Sequence, residues 1–186
     1  MPNPFTTTFS KTPEYTYIHT EKTEEILESF IYDNPSESVY KITGVRGSGK
    51  TVILAKAGFG SQDKKTTGID EVSKSEEMVK FASEYGRWLR AGYPVYFVCT
   101  GLYENIQELS NVKNLTFFRR AATVKTEPLN MIRMTEMYKS KLDIDSDEAR
   151  EMAKITKGYA YAFQELGVLC FKKKAGESLK DILMNI

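Results

Sequence analysis

The chain has 186 residues, of which 41% are hydrophobic and 27% are charged. This composition is typical of a soluble globular protein with one domain, or with a core domain and a small appendage. Twenty-six basic and 25 acidic residues leave a net charge of +1, which argues against a surface built throughout to bind nucleic acid. No apolar run reaches about 18 residues, so we expect no membrane-spanning segment.

The amino-terminal residues have neither the basic start nor the apolar stretch of a signal peptide. Cys99 and Cys170 lie in apolar segments, which favours buried thiols in a reducing compartment. His19 is the only histidine, so no cluster of histidines and cysteines has the spacing of metal ligands. Together these features predict a cytoplasmic protein.

The first elements along the chain place a glycine-rich turn between a strand and a helix. Residues 1–18 are rich in threonine and proline and are predicted to be extended. A helix is expected to begin after Thr20, which is a suitable cap. The apolar segment Ser38–Thr43 then predicts a strand, and Lys50–Ala57 predicts the helix that follows the turn.

The middle of the chain continues the alternation of helices and strands. A long amphipathic helix is predicted after Glu71 and before the nearly all-apolar segment Pro94–Thr100, which suits a strand buried on both faces of a parallel sheet. A helix is expected over Tyr103–Leu109. The segments Leu115–Phe118 and Ala122–Lys125 are both predicted to be strands.

From Pro128 onward the pattern is entirely helical. Three helices are predicted, at residues 130–142, 146–156 and 159–173. The chain is therefore expected to be an α/β protein in which helices flank a parallel sheet, with a carboxyl-terminal helical lid. The expected divisions are an extended segment at 1–18, a core domain at 19–127 and a helical lid at 128–186.

The strongest motif is an eight-residue loop that fits the Walker A pattern, Gly, four residues, Gly-Lys-Ser/Thr. Its residues are Gly44, Val45, Arg46, Gly47, Ser48, Gly49, Lys50 and Thr51. Glycines permit the turn that aims several backbone N–H groups at a polyphosphate, and the helix that follows adds its positive dipole end. Lys50 is expected to reach the terminal phosphates, and Thr51 to offer its hydroxyl to Mg²⁺. The loop predicts binding of a nucleoside triphosphate, ATP with Mg²⁺.

An acidic pair, Asp70 and Glu71, supplies the carboxylates that such a site needs. Asp70 is predicted to hold the metal, and Glu71 to act as the general base. The alternative is that both acids lie at a helix amino terminus because the helix dipole favours them there.

The interval before this pair is short. Only 18 residues separate Thr51 from Asp70, and Asp63–Gly68 makes a poor core strand. Proteins with a Walker A loop usually have an extra strand and helix in such an interval. Either the fold lacks one strand-helix unit, or a segment of the natural chain is missing around residues 60–66, which would impair hydrolysis more than binding.

With these motifs in place, the chain resembles the AAA+ and STAND-like ATPases over most of residues 15–173. The resemblance implies that Thr100 is the polar sensor residue that contacts the γ-phosphate or the attacking water. The alternative is a threonine at the strand end, in a turn before Gly101. It also implies that an arginine, Arg120 before Arg119, stabilises charge on a neighbouring subunit of an oligomer. The alternative is a pair of surface arginines.

The resemblance extends to the helical half with two departures. Lys157-Gly158-Tyr159-Ala160 is similar to the Gly-x-Pro lid motif of the STAND-like branch, but alanine replaces the proline and no arginine stands nearby for a sensor-2 role. Many relatives continue into a DNA-binding helical domain, so the chain is expected to be cut short at its carboxyl end. The basic run Lys172–Lys174 marks either the edge of such a domain or a solvated helix end.

Two functions follow. The first is an ATPase that acts as a nucleotide-driven conformational switch or motor, with self-association, a protein or DNA as partners and with no membrane contact. The second is a nucleotide-binding regulatory or scaffold module with little or no hydrolysis. A GTPase is disfavoured because no Asn/Thr-Lys-x-Asp sequence is present.

Overall fold

The computed structural model describes residues 2–8, 12–31, 38–58, 65–173 and 178–184. They divide into two units. The core unit is Glu21–Thr126, and the helical unit combines Met1–Thr20 with Glu127–Ile186. The chain therefore passes from one unit to the other twice, after Thr20 and after Thr126.

The core unit contains all four strands and five of the helices of the described chain. In chain order they are α1 (Glu21–Ile31), β1 (Val39–Thr43), α2 (Lys50–Gly58), β2 (Lys65–Ile69), α3 (Glu76–Arg90), β3 (Val95–Gly101), α4 (Tyr103–Ser110), α5 (Thr116–Arg120) and β4 (Ala122–Lys125). The helical unit contains α6 (Met131–Leu142), α7 (Ser146–Thr156), α8 (Ala160–Phe171) and α9 (Leu179–Leu183).

The strands form one parallel sheet in the order β2-β3-β1-β4. Every residue of β1 is buried, as are the last five residues of β3. Phe97 and Cys99 belong to one apolar cluster, while Val98 belongs to another. Because successive side chains of a strand point to opposite faces, both faces of β3 are covered. This confirms the predicted α/β fold with a parallel sheet flanked by helices.

The segment that looked like a poor strand does form one. Strand β2 pairs with β3 in parallel, from Lys65 opposite Val95 to Ile69 opposite Cys99. It occupies an edge of the described sheet, where Thr67 and Gly68 are exposed, so the strand does not need a continuous apolar sequence. A segment of the natural chain was expected to be missing around residues 60–66. Most of this stretch, residues 59–64, lies outside the described residues.

The strand predicted at Leu115–Phe118 is wrong, because α5 occupies this segment. Leu115 and Phe118 are three residues apart and both are fully buried in the same cluster, which a helix permits and an alternating strand does not. The buried ammonium of Lys41 donates a hydrogen bond of 2.8 Å to the carbonyl of Phe118. This contact from β1 satisfies a carbonyl near the end of the helix, and the local sequence pattern does not reveal it.

The helical unit confirms the three predicted helices after Pro128 and adds a fourth, α9. The carboxylate of Asp145 caps α7 by accepting hydrogen bonds of 2.8 Å from the N–H groups of Asp147 and Glu148. The core of the unit centres on Met134, Tyr138, Met152 and Phe163, all fully buried. No helix of the described residues is long and apolar enough to cross a membrane.

The two cysteine thiols are buried to different extents, and burial raises the pKa of both. Cys99 is fully buried in β3, and burial raises its pKa to about 12. Cys170 is half-buried in α8, and burial raises its pKa to about 11. Both cysteines are free. Both are therefore protonated thiols at neutral pH and poor nucleophiles.

The amino-terminal segment, predicted to be extended, has no helix or strand among its described residues and packs into the helical unit. The ring centroid of Phe5 lies 5.7 Å from those of both Tyr138 and Phe163. Gly167 makes room for it, because a Cβ there would lie 2.3 Å from the Phe5 ring. The Gln164 side chain accepts from the N–H of Thr6 and donates to the carbonyl of Thr16.

Replacing Phe5 with alanine should destabilise the helical unit by about 3 kcal/mol, since a buried aromatic side chain leaves a cavity when truncated. Urea unfolding followed by circular dichroism measures this change. Tyr15→Ala is the control, because Tyr15 lies in the same segment and is 56% exposed. An effect of Phe5→Ala no larger than that of Tyr15→Ala would show that the segment contributes little to stability.

Candidate functional site

The loop between β1 and α2 turns tightly through two glycines. Gly47 has φ of 72° and Gly49 has φ of 91°, a region that side chains rarely adopt. The N–H of Ser48 donates to the carbonyl of Val45 at 3.3 Å, and the carbonyl of Gly49 accepts the first bond of α2. The predicted sequence of strand, glycine-rich loop and helix is therefore present, with the amino terminus of α2 at its end.

Lys50 lies at the first position of α2 and folds back over the loop. Its side chain is buried, and its ammonium donates to the carbonyl of Val45 at 2.9 Å. Burial lowers the pKa of Lys50, and the Glu71 and Asp70 carboxylates oppose that shift. A positive charge is thus held beside the loop and close to the acidic pair.

The Asp70 carboxylate accepts hydrogen bonds from two other residues predicted from sequence, Thr51 and Thr100. Its Oδ2 accepts a hydrogen bond of 2.6 Å from the hydroxyl of Thr51, which lies 19 residues earlier. Its Oδ1 accepts one from the hydroxyl of Thr100. These groups come from α2, the end of β2 and the end of β3, so the parallel sheet brings them together at the carboxyl edge of its strands.

Glu71 follows Asp70 in a left-handed backbone conformation, with φ of 51°. Few residues other than glycine adopt this conformation, and it is found at sites where the surrounding structure imposes it. Here the N–H of Glu71 donates to the Thr100 hydroxyl at 3.1 Å, and the N–H of Val72 donates to the Thr100 carbonyl at 2.8 Å. The Glu71 side chain is exposed.

The placement of the acidic pair excludes the simpler explanation for it. Helix α3 begins at Glu76 and is capped by Ser75, so Asp70 and Glu71 are not in its first turn. The helix dipole therefore does not account for these two carboxylates.

Thr100 is fully buried within β3 rather than in a turn. A hydroxyl has one hydrogen to donate, and Thr100 donates it to Asp70. In this arrangement Thr100 orients Asp70 and the backbone of Glu71. Contact between its hydrogen and a phosphate would require Asp70 to release it.

The donors around Asp70 suit Mg²⁺. This ion prefers hard oxygen ligands and is commonly held by one or two carboxylates together with substrate phosphates and water. Thr51 and Asp70 provide a hydroxyl and a carboxylate within hydrogen-bond distance of each other. Among the described residues there is no group of three or more histidine, cysteine or acidic side chains that would enclose a metal without a substrate.

The predicted arginines are not brought to this cluster. Both Arg119 and Arg120 are exposed on α5, and the Nε of Arg120 donates to the carbonyl of Thr116 in the same helix at 3.5 Å. Arg119 donates to the carbonyl of Ser110. The predicted action of Arg120 on a neighbouring subunit stays a prediction.

Thr126 directly follows β4 and was not among the residues predicted from sequence. Its N–H donates to the carbonyl of Thr43 at 2.8 Å, and its hydroxyl donates to the Ser48 hydroxyl at 3.0 Å. A Cβ on Gly44 would lie 2.0 Å from Oγ1 of Thr126, so the first glycine of the motif is required by this close approach. One feature of the sequence could have indicated Thr126. A strand that pairs in parallel with β1 ends at the same edge of the sheet as the loop, so the residue after that strand lies beside the loop.

The segment that resembles a lid motif forms the turn between α7 and α8. Lys157 and Gly158 both have positive φ, of 51° and 78°. The carbonyl of Gly158 accepts a hydrogen bond of 2.8 Å from the N–H of Leu129. Helix α8, which follows, contains no arginine.

No protein-family model and no curated protein matches the chain. Among solved structures, it is similar to domain III of the replication initiation protein DnaA from Thermotoga maritima, with a TM-score of 0.67 and 14% identity over 93% of this chain and 95% of that one. It is also similar to a RuvB variant from Thermotoga maritima, with a TM-score of 0.53 and 16% identity over 82% of this chain and 62% of that one. At such low identity the likeness shows the fold alone, a parallel sheet flanked by helices.

Proposed function

We propose that this chain binds ATP with Mg²⁺ through the loop Gly44–Thr51 and acts as an AAA+-type ATPase whose nucleotide cycle drives a conformational switch. One observation carries the proposal. The Thr51 hydroxyl and the Asp70 carboxylate meet at 2.6 Å beside a glycine-rich helix start that holds the buried ammonium of Lys50. These are the groups that a bound triphosphate and its metal require.

Each residue has a distinct part in this proposal. The N–H groups of the loop and the Lys50 ammonium bind the phosphates. Thr51 and Asp70 hold Mg²⁺, which neutralises charge on the phosphate oxygens. Glu71 accepts a proton from the attacking water, and Thr100 keeps both acidic residues in place through its hydroxyl.

Calorimetry with ATP and Mg²⁺ tests the proposal. We expect saturable binding of one nucleotide per chain that weakens when the metal is chelated, since Thr51 and Asp70 would then lack the ion that links them to phosphate. GTP serves as the comparison, and weaker binding of GTP supports the choice of ATP. Absence of binding for both nucleotides in the presence of Mg²⁺ would refute the proposal.

A module that binds nucleotide with little hydrolysis is the second candidate, and three features favour it. Helix α8 contains no arginine to contact a phosphate from the helical unit, and Ala160 stands where the STAND-like branch has proline. The Thr100 hydrogen is already donated to Asp70. Phosphate release at saturating ATP separates the two candidates, because only the ATPase exceeds the rate in buffer.

The partners follow from exposed groups. We propose that Arg120, exposed on α5, acts on a neighbouring copy if the chain assembles. The basic run after α8 gives DNA little support, because Lys173 forms an ion pair of 3.2 Å with Glu148 and Lys174 lies outside the described residues. DNA is therefore not part of the proposed function.

A further inference from the structure

Thr126 makes two hydrogen bonds to the segment that carries the phosphate loop. Its backbone N–H extends the pairing between β4 and β1 by one step, to the carbonyl of Thr43. Its hydroxyl reaches further, to the hydroxyl of Ser48 at 3.0 Å. The two residues are 78 positions apart in sequence, so the contact is a product of the fold.

The packing around Gly44 is a second, independent observation. A Cβ at Gly44 would lie 2.0 Å from Oγ1 of Thr126 and 2.6 Å from Oγ of Ser48. The two hydroxyls therefore occupy the space that a side chain at position 44 would fill. Gly44 is not one of the described glycines with a positive φ. The close approach of the two hydroxyls, and not the backbone conformation, therefore explains why this residue is a glycine.

The contact between Thr126 and Ser48 leaves the hydrogen of the Ser48 hydroxyl available. Thr126 donates its one hydroxyl hydrogen to Ser48, which accepts it. Within the described residues the Ser48 hydroxyl donates no hydrogen bond of its own. Ser48 lies between Gly47 and Gly49 at the centre of the loop, so a bound phosphate oxygen is the acceptor that this hydrogen would meet.

Thr126 also has a special place along the chain. It is the last residue of the core unit, and Glu127 begins the second part of the helical unit. One hydrogen bond therefore joins Ser48 to the residue at which the chain leaves the core unit.

We propose that Thr126 is a positioning residue that orients the Ser48 hydroxyl toward phosphate and couples occupancy of the loop to the crossing between the two units. The proposal rests on the proposed nucleotide binding. It adds that the response of the helical unit begins at Thr126.

The first test compares Thr126→Val with Thr126→Ser in calorimetry with ADP and ATP in the presence of Mg²⁺. Valine keeps the shape and removes the hydroxyl, so we expect affinity to fall about three- to tenfold, the loss expected for one hydrogen bond. Serine restores the hydroxyl and should restore affinity. Thr123→Val is the matched control, because Thr123 is exposed on β4 and its side chain makes no hydrogen bond within the described residues.

A double-mutant cycle identifies the partner. Ser48→Ala should weaken binding to a similar degree, and adding Thr126→Val to it should cause little further loss if the two hydroxyls act as one unit. Additive losses would overturn the assignment of Ser48 as the group that Thr126 positions. Ser48→Ala also keeps the test open if Thr126→Val fails to fold, because it removes the same hydrogen bond from the loop side.

Hydrogen exchange tests the coupling. If Thr126 had only a structural role, its substitution would not alter how nucleotide changes amide exchange. At saturating nucleotide we expect slower amide exchange in residues 124–130 of the wild type and of Thr126→Ser, and unchanged exchange in Thr126→Val. If the wild type binds no nucleotide, the proposed function fails. If the wild type binds and Thr126→Val matches it in affinity and exchange, nucleotide binding stands and the role of Thr126 is refuted.

Discussion

Lys50→Ala is expected to weaken ATP binding by about a hundredfold or more, to below detection in calorimetry. The ammonium is held beside the loop by a 2.9 Å hydrogen bond to the Val45 carbonyl, and we expect it to meet the terminal phosphates there. A charge-assisted hydrogen bond contributes about 1.5–3 kcal/mol to the binding free energy. Removal of the ammonium also leaves the charge of the phosphates uncompensated.

The control is Lys56→Ala, which removes an exposed lysine from the same helix and should leave binding unchanged. Circular dichroism should show that both variants retain the helical content of the wild type. Wild-type affinity in Lys50→Ala would contradict the assignment of the loop as a phosphate site.

Glu71→Gln is expected to keep ATP binding and to slow phosphate release by about a hundredfold or more, the contribution typical of a general base. Glutamine has nearly the same shape but cannot accept the proton of the attacking water. The backbone at position 71 is held by its own N–H on Thr100, a contact that the substitution does not alter. Calorimetry and a phosphate-release assay on the same preparation separate the two effects.

The matched control for this variant is Glu76→Gln, which changes an exposed glutamate in the first turn of α3. If the wild type hydrolyses ATP and Glu71→Gln does so equally, Glu71 is not the base. A wild type that binds ATP without turnover would instead support the regulatory module.

The glycine-rich loop could be predicted because its pattern lies within eight consecutive residues, bounded by a strand and a helix. The acidic pair could be proposed from its order in the chain, but its distance from Thr51 could not. That distance depends on β2 joining the sheet beside β3, and β2 is a short polar edge strand with a weak sequence pattern.

Long-range contacts explain the remaining differences. The helix α5 depends on burial of Leu115 and Phe118 and on the ammonium of Lys41, which lies 77 residues before Phe118. Thr126 gains its importance only because β4 ends beside the loop. A pattern read within a short window contains neither the partner nor the distance.

The interleaving of the two units has a consequence for biosynthesis. The N–H of Thr6 is bonded to a side chain 158 residues later, at Gln164. At about 5–20 residues per second, a ribosome needs roughly 8–30 seconds to deliver that partner. Phe5 lacks its ring partners until Tyr138 and Phe163 are made, whereas every strand of the described sheet precedes them in the chain. We therefore expect the core unit to fold first, and the amino-terminal segment to pack only after α8 has been made.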